Sequence, residues 1–167
     1  MITNFTNRHS LPKTLRMAGV IASVIAGFAA FSAQAGECPA DQMRPDGSGQ
    51  KAGATMPKDV TDTVLATTDL SQEMVGVVDH QFRIRRLELM PGGEVPWHSH
   101  EDRPAMIYIV SGEVTEYAST CAVPIVHKAG DVAPETHTTA HWWKNTGKEK
   151  AILISADILH DKADNNM

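Results

Sequence analysis

The chain has 167 residues, of which 42% are hydrophobic, so it is long enough for one domain with a buried core. It carries 15 Lys and Arg against 20 Asp and Glu, a formal net charge of −5. An acidic chain without a basic stripe argues against nucleic acid or an anionic membrane surface as a partner.

The first 35 residues show the features of a secretory signal peptide. A start with three basic and no acidic residues precedes an apolar run over residues 17–31 and a small-x-small cleavage box at 33–35. We predict cleavage after Ala35 by the general secretion route of a bacterium, which places the protein in the periplasm or outside the cell. A retained membrane anchor is the alternative, although the run is short for a span. The mature chain would carry 12 Lys and Arg against 20 Asp and Glu, a net charge of −8, and would not bind membranes.

Two cysteines, Cys38 and Cys121, remain after this cleavage. An even count in an oxidising compartment predicts one disulfide, and two free thiols are the alternative. Residues 36–59 are rich in Gly, Pro, Asp and Lys and have no periodicity. We therefore expect a flexible N-terminal arm there unless Cys38 holds it.

Residues 60–167 carry short β-rich runs separated by turn signals, which predict a single all-β domain. In HQFRIRRLELM, residues 80–90, apolar side chains alternate with arginines. Phe82 and Ile84 are expected to face the core and Arg83 and Arg85 the solvent, and a bulge near Arg86 would restore the burial of the leucines that follow. An arginine that pointed inward instead would suit an anionic substrate.

Two stretches carry histidines in a pattern that suits metal binding. In GGEVPWHSHEDRPAMIYIVSG, residues 92–112, His98 and His100 are two positions apart on a predicted strand, so their side chains share one face. In GDVAPETHTTAHWWKN, residues 130–145, His141 begins another strand-like run. Three neutral imidazoles are ligands for a divalent transition metal, namely Zn, Fe, Mn, Ni or Cu. The histidines alone do not choose among these metals.

These stretches resemble the paired motifs of the cupin superfamily. The first motif is matched at four glycine and histidine positions: Gly92, His98, His100 and Gly112. The second motif is matched at three: Gly130, His141 and Asn145. The resemblance implies a double-stranded β-helix, the cupin-type jelly-roll barrel, with a metal held inside by the three histidines. It also implies that two copies of the chain pair as a homodimer.

Ala105 stands where the first cupin motif has a glutamate ligand. One alternative is a site that keeps only three histidines, which the resemblance associates with dioxygenases that act on thiols or diketones. Such a site would carry one more positive charge and favour anionic substrates. The other alternative is a replacement ligand from the residues within reach, which would otherwise lie behind the ligands or face solvent: Glu101, Glu135 and His137.

Strand parity also predicts the pocket around the metal. Its lining would come from the faces that Ala105 and His141 share with their neighbours: Ala105, Ile107, Ile109, Trp143 and Asn145. No residue stands out as a general acid or base, so no catalytic residue is assigned. Two functions fit this set. One is an exported metal-dependent, dioxygenase-like enzyme on a small molecule, and the other is a metal- or small-ligand-binding module without turnover.

Overall fold

The computed structural model describes residues 36–160, and the predicted signal peptide lies outside them. Single 3-10 turns occur at Ala40–Gln42 and Leu70–Gln72. Within this range the chain forms eight strands: β1 (Lys58–Asp69), β2 (His80–Ser99), β3 (Ala105–Ser111), β4 (Glu113–Ala118), β5 (Ile125–Lys128), β6 (Val132–Glu135), β7 (Ala140–Lys144) and β8 (Ala151–His160). The prediction of an all-β fold is confirmed.

The strands follow the order β5-β4-β7-β2-β8-β3-β6, and β1 pairs with β2 outside this path. All of these pairings are antiparallel. The 20 residues of β2 let it pair with β8 through its first half and with β7 through its second. The result is a nearly closed jelly-roll barrel, as the sequence predicted. Its apolar core includes Leu87, Leu89, Val95, Ile107, Ile109, Val114, Trp143 and Leu153.

The first half of β2 faces the opposite way from the prediction. Arg83 and Arg85 are buried inside the barrel, whereas Phe82 is 39% exposed. The pairing of β2 with β8 continues without a shift from His80 to Leu89, so no bulge interrupts it near Arg86. The leucines at 87 and 89 lie in the core, and regular alternation carries the arginines inward with them.

One buried and one partly buried carboxylate make this inward position tolerable. Arg83 donates to both oxygens of Asp157 at 3.0 and 2.8 Å. Arg85 contacts Asp157 at 3.0 Å and Asp62 at 2.5 Å. We call Asp62, Arg83, Arg85 and Asp157 the Arg/Asp cluster. It balances two positive with two negative charges, which is the condition for burying ionised groups.

The N-terminal arm contacts β4, β5 and β7. Cys38 is bonded to Cys121 with the Cα atoms 5.8 Å apart, which confirms the predicted disulfide. The arm also donates from Gln50 N to Ala118 O at 2.9 Å and accepts from the Trp142 indole at Lys51 O. A Cβ at Gly53 would lie only 2.4 Å from the Trp142 ring, so this close approach requires glycine. In residues 36–160 we find no helix with the length and apolarity to cross a membrane.

Candidate metal centre

Three histidines and one glutamate meet inside the barrel. His98 lies near the end of β2 opposite His141 of β7 in the strand register, and His100 follows β2. Glu135 ends β6 and is the register partner of Ala105 on β3. One ligand atom from each of the four residues lies within 4.8 Å of all the others. We call this set the His/Glu cluster: His98, His100, Glu135 and His141.

The atoms of this cluster are in close contact. His141 Nε2 lies 3.1 Å from His100 Nε2 and 3.2 Å from His98 Nε2. The two Glu135 carboxylate oxygens lie 3.0 Å from His100 Nε2 and 3.2 Å from His141 Nε2. His100, Glu135 and His141 are buried, and His98 is partly buried.

The opposite nitrogen of each ring is fixed by an acceptor. Nδ1 of His98 lies 2.8 Å from Pro96 O, and Nδ1 of His100 lies 2.7 Å from Arg103 O. Nδ1 of His141 lies 2.6 Å from Glu116 Oε1. Because these oxygens only accept, each Nδ1 carries the proton, and each neutral ring presents its Nε2 lone pair to the centre. Three lone pairs and a carboxylate then face one another without a donor among these four residues, which suits a divalent cation.

The pKa values of two of the rings, His98 and His141, are shifted by their surroundings. Burial, the largest cause, lowers the pKa of His98 to about 2, so this ring stays neutral and keeps its lone pair. Burial also acts to lower the pKa of His141, but the Glu135 and Glu116 carboxylates outweigh it and raise that pKa. The two carboxylates therefore favour positive charge at the His141 ring, either as a proton or as a cation bound at Nε2.

Glu116, on β4, joins His141 to a second buried histidine. Its Oε2 accepts from His127 Nε2 at 2.8 Å, while Oε1 accepts from His141. Burial acts to raise the pKa of Glu116, but hydrogen bonds from the two histidines outweigh it and lower that pKa to about 2. A carboxylate on Nδ1 fixes the tautomer of a ligating imidazole and raises its basicity. Neither Glu116 nor His127 was predicted, although a glutamate at an inward position of β4, between Val114 and Ala118, was a usable signal.

A cavity of about 20 Å³ adjoins the cluster, which is room for one or two water molecules. Its lining includes two cluster members, His98 and Glu135, and one member of the Arg/Asp cluster, Arg85. The remaining lining residues are apolar: Leu87, Val95, Ile107, Trp143 and Leu153. The cluster therefore adjoins a partly open cavity with mostly apolar walls.

Two of the five predicted pocket residues line this cavity, and three do not. Ile107 and Trp143 line this cavity, and the Trp143 indole N–H lies 3.2 Å from His141 Nδ1. Ala105 and Ile109 are buried but are not part of this lining. Asn145 donates to Leu89 O and Glu149 O, so it organises a turn.

Of the three predicted replacement ligands, one belongs to the His/Glu cluster and two do not. Glu135 joins the three histidines. Glu101 and His137 are exposed and are not members of the His/Glu cluster. The structure thus places a carboxylate on the neighbouring strand, at the residue directly paired with Ala105.

The cupin domain family matches residues 85–157 of this chain. Nectarin-1 of Nicotiana langsdorffii x Nicotiana sanderae is 30% identical over 109 residues, which are 64% of this chain and 46% of the relative. Nectarin-1 of Nicotiana plumbaginifolia is 29% identical over 93 residues, 54% of this chain and 41% of the relative. The chain thus spans less than half the length of these curated relatives.

A solved structure shows the same fold. It is described as a predicted oxalate decarboxylase from Thermotoga maritima, and it superposes with a TM-score of 0.51 at 22% sequence identity. The match covers 74% of this chain and 98% of that one. At this identity the likeness establishes the barrel architecture, and the family match covers the segment that carries all four cluster residues.

Proposed function

Because this chain belongs to the cupin superfamily and places a His/Glu cluster beside a partly open cavity, we propose that it is a metal-dependent enzyme acting on a small molecule. The reaction we propose is dioxygenase-like, with both atoms of one dioxygen entering one substrate molecule. The observation that carries the proposal is the convergence of three Nε2 lone pairs and one carboxylate beside that cavity.

The metal would be held by Nε2 of His98, His100 and His141 and by the carboxylate of Glu135. Mixed imidazole and carboxylate ligands suit several divalent transition metals, and a redox-active ion such as iron or manganese suits oxygen chemistry. When bound, such an ion supplies Lewis acidity and an electron route to dioxygen. Glu116 would hold His141 in the tautomer that leaves Nε2 available.

The cavity walls select the substrate. Their apolar side chains exclude water and favour a compact ligand, and the volume admits only a few non-hydrogen atoms beside the ligand groups. The expected preference for anions rested on a missing carboxylate, and Glu135 supplies one. Arg85 on the wall is neutralised by Asp62 and Asp157. We therefore propose a small, neutral or weakly charged substrate group.

Export is part of the proposal. The Cys38–Cys121 disulfide fits an oxidising compartment, and the predicted signal peptide points to the same place. A protein exported unfolded would take up its metal outside the cytoplasm.

Oxygen uptake tests the enzymatic proposal. The mature chain, loaded separately with iron, manganese, zinc, nickel or copper, would be given a panel of thiols, diketones and phenols. We expect one dioxygen consumed per substrate with at least one metal, no uptake by His98→Ala, and normal uptake by the exposed control His137→Ala. Oxalate belongs in the panel, with carbon dioxide release as its readout, because of how the Thermotoga maritima protein is described. Metal binding without turnover of any compound would contradict an enzyme of this kind.

A metal-binding module is the second candidate function, and the ligand count favours it. Four protein ligands complete the tetrahedral shell that zinc adopts in closed structural sites. Cobalt substitution separates the two functions, because four-coordinate Co²⁺ absorbs visible light much more strongly than six-coordinate Co²⁺. Weak bands that change when a small ligand is added support the enzyme, whereas strong and unresponsive bands support the module.

A further inference from the structure

His127 carries a buried nitrogen that lacks a hydrogen-bond partner. The residue lies on β5, is 1% exposed, and stacks on Trp143 with the ring centroids 4.7 Å apart. Its Nε2 lies 2.8 Å from Glu116 Oε2, which only accepts, so in the neutral ring Nε2 carries the proton and Nδ1 presents a lone pair. Within residues 36–160 no group donates a hydrogen bond to that Nδ1. A buried acceptor without a donor costs free energy, which makes this atom a candidate binding point for a donor.

Gly36 lies beside this nitrogen. It is buried, and its N–H donates to Val126 O at 3.2 Å. A Cβ added to Gly36 would lie 3.2 Å from His127 Nδ1 and 3.3 Å from Asp131 Cγ. The φ of Gly36 is +91°, a conformation that favours glycine. The first residue that would remain after the predicted signal cleavage is thus packed against an imidazole, a carboxylate and a carbonyl oxygen.

Cleavage after Ala35 changes the chemistry of the Gly36 nitrogen. In the uncleaved chain this nitrogen is a peptide amide with one hydrogen, which is donated to Val126 O. Hydrolysis of the Ala35–Gly36 bond consumes one water and leaves a carboxylate on Ala35 and an ammonium on Gly36. The ordinary pKa of an α-amino group is about 8, so the new group is mostly cationic at neutral pH. Its three hydrogens include two that need further acceptors.

Cleavage also allows this nitrogen to move. Once Ala35 is removed, rotation about the Cα–C bond of Gly36 carries the amino nitrogen into the position that a Cβ would occupy, since both are substituents of the same tetrahedral carbon. That position is 3.2 Å from His127 Nδ1, a hydrogen-bond distance. The carboxylate of Asp131, whose Cγ lies 3.3 Å from the same position, supplies a counter-charge.

The disulfide holds Gly36 near these acceptors. Cys38, two residues further along the chain, is bonded to Cys121 with the Cα atoms 5.8 Å apart. A short tether raises the effective concentration of the amine and lowers the entropy that is lost when it binds. Asp131 is also fixed, because its Oδ2 accepts from Lys128 N at 2.7 Å. The amine and its acceptors are therefore positioned before they meet.

We propose that cleavage after Ala35 creates an amine site, in which the new Gly36 ammonium donates to His127 Nδ1 and pairs with the Asp131 carboxylate. The occupant of the site is the chain's own new terminus. A cationic donor on a buried lone pair, beside a carboxylate, satisfies the one polar atom of His127 that the barrel leaves without a partner among the described residues. The inference takes the predicted cleavage position as its premise.

The amine site lies at the end of a hydrogen-bond chain that reaches the His/Glu cluster. The amine keeps the His127 proton on Nε2, Nε2 donates to Glu116 Oε2, and Glu116 Oε1 accepts from His141 Nδ1. An exported chain would therefore gain the full set of hydrogen bonds behind His141 only after cleavage. This consequence rests on the proposed function, whereas the amine site itself does not.

Two forms of the chain, each released from a removable tag and kept free of metal, test the site. One begins at Gly36, and the other retains Ala35, which displaces the amine by one residue without any substitution in the barrel. Nitrogen-15 NMR of the imidazoles should show that His127 Nδ1 accepts a hydrogen bond in the first form and has an unbonded lone pair in the second. The Gly36 amine should react with an acylating reagent at least about 10-fold more slowly than the Ala35 amine, because a bound amine reacts only when it is released.

A substitution in each of two acidic residues tests the counter-charge. Asp131→Asn should raise the acylation rate of the form that begins at Gly36. Asp41→Asn removes an exposed carboxylate elsewhere on the arm, so it is the matched control and should leave the rate unchanged. Equal rates in the two variants would overturn the assignment of Asp131. Circular dichroism confirms that each variant is folded before its rate is interpreted.

Three further outcomes would overturn the amine site. The first is an equal acylation rate in the two forms of the chain. The second is a slow amine with the same His127 Nδ1 signal in both forms, because the amine is then covered without being bound. The third is an exported protein whose first residue, by mass spectrometry, is not Gly36. None of these measurements involves metal, so a failure here is distinct from a failure of metal binding.

Discussion

Two polar clusters lie inside this barrel, and they differ in how their charges are balanced. The Arg/Asp cluster pairs two guanidinium groups with two carboxylates. The His/Glu cluster brings three neutral rings and one carboxylate into contact, with their lone pairs directed at a common centre. Folding completes the first cluster, whereas we propose that the second is complete only when a cation joins it.

This difference separates two ways in which buried polar groups are tolerated. Paired charges offset each other's desolvation cost whenever the chain is folded, and removing one partner leaves the other buried without that compensation. Converging ligands contribute through the free energy of metal binding, which depends on metal concentration. Substitutions in the Arg/Asp cluster should therefore change the free energy of unfolding equally with and without metal. Substitutions in the His/Glu cluster should change it through the loss of metal binding.

The largest effect is expected at Asp157. Asp157→Ala leaves Arg83 and Arg85 without their shared counter-charge and should lower the free energy of unfolding by about 3–5 kcal/mol. Urea unfolding with and without added metal measures this change, and we expect the same loss in both conditions. Asp157→Asn, which keeps the volume, should also be destabilised. Wild-type stability in the asparagine variant would show that the charge balance is unimportant.

The metal-dependent part of the comparison is tested at His98. At a metal concentration about 1,000 times the dissociation constant, binding adds about 4 kcal/mol to the stability of the wild-type chain. His98→Ala should lose most of this gain because one of the four ligands is absent. The measurement is the shift of the urea midpoint on adding metal. An equal shift in wild type and variant would remove His98 from the site.

A smaller effect is expected at Glu116, which contacts a proposed ligand but is not one. Glu116→Gln keeps the shape but removes the charge at His141 Nδ1, so metal affinity should fall about 10- to 100-fold. Competition with a chelator of known affinity gives the ratio directly. Unchanged affinity would show that Glu116 serves only the packing of β4.

The smallest effects are expected at Glu101 and His137. Both side chains are exposed, and neither belongs to the His/Glu cluster. Alanine at either position should change the free energy of unfolding by less than about 0.5 kcal/mol and leave metal stoichiometry unchanged. Loss of metal from Glu101→Ala would mean that the wrong carboxylate has been assigned to the site.

The sequence predicted features that depend on local spacing. His98 and His100 share a face because they are two residues apart on a strand, and the cupin motifs supplied His141. Short strands separated by turns predicted the all-β class, the cupin motifs implied the barrel, and the two cysteines predicted the disulfide that the structure contains. These inferences need only alternation, counting and a recognisable motif.

Features that depend on partners distant in sequence were harder to predict. Glu135 brings a carboxylate next to Ala105 because the two are cross-strand neighbours, which their positions 30 residues apart do not reveal. The inward direction of Arg83 and Arg85 requires Asp157, more than 70 residues further on. When that partner is not known, solvent is the environment of lower free energy for an arginine. The prediction that Arg83 and Arg85 face solvent was wrong for this physical reason.

The central claim is that His98, His100, Glu135 and His141 together hold one metal ion. Elemental analysis of the mature protein, purified from its native compartment beside Glu135→Ala and His98→Ala, tests it most directly. We predict close to one equivalent of a divalent transition metal per wild-type chain and a large loss from both folded variants. A wild-type chain without metal, or variants that keep a full equivalent, would contradict the claim.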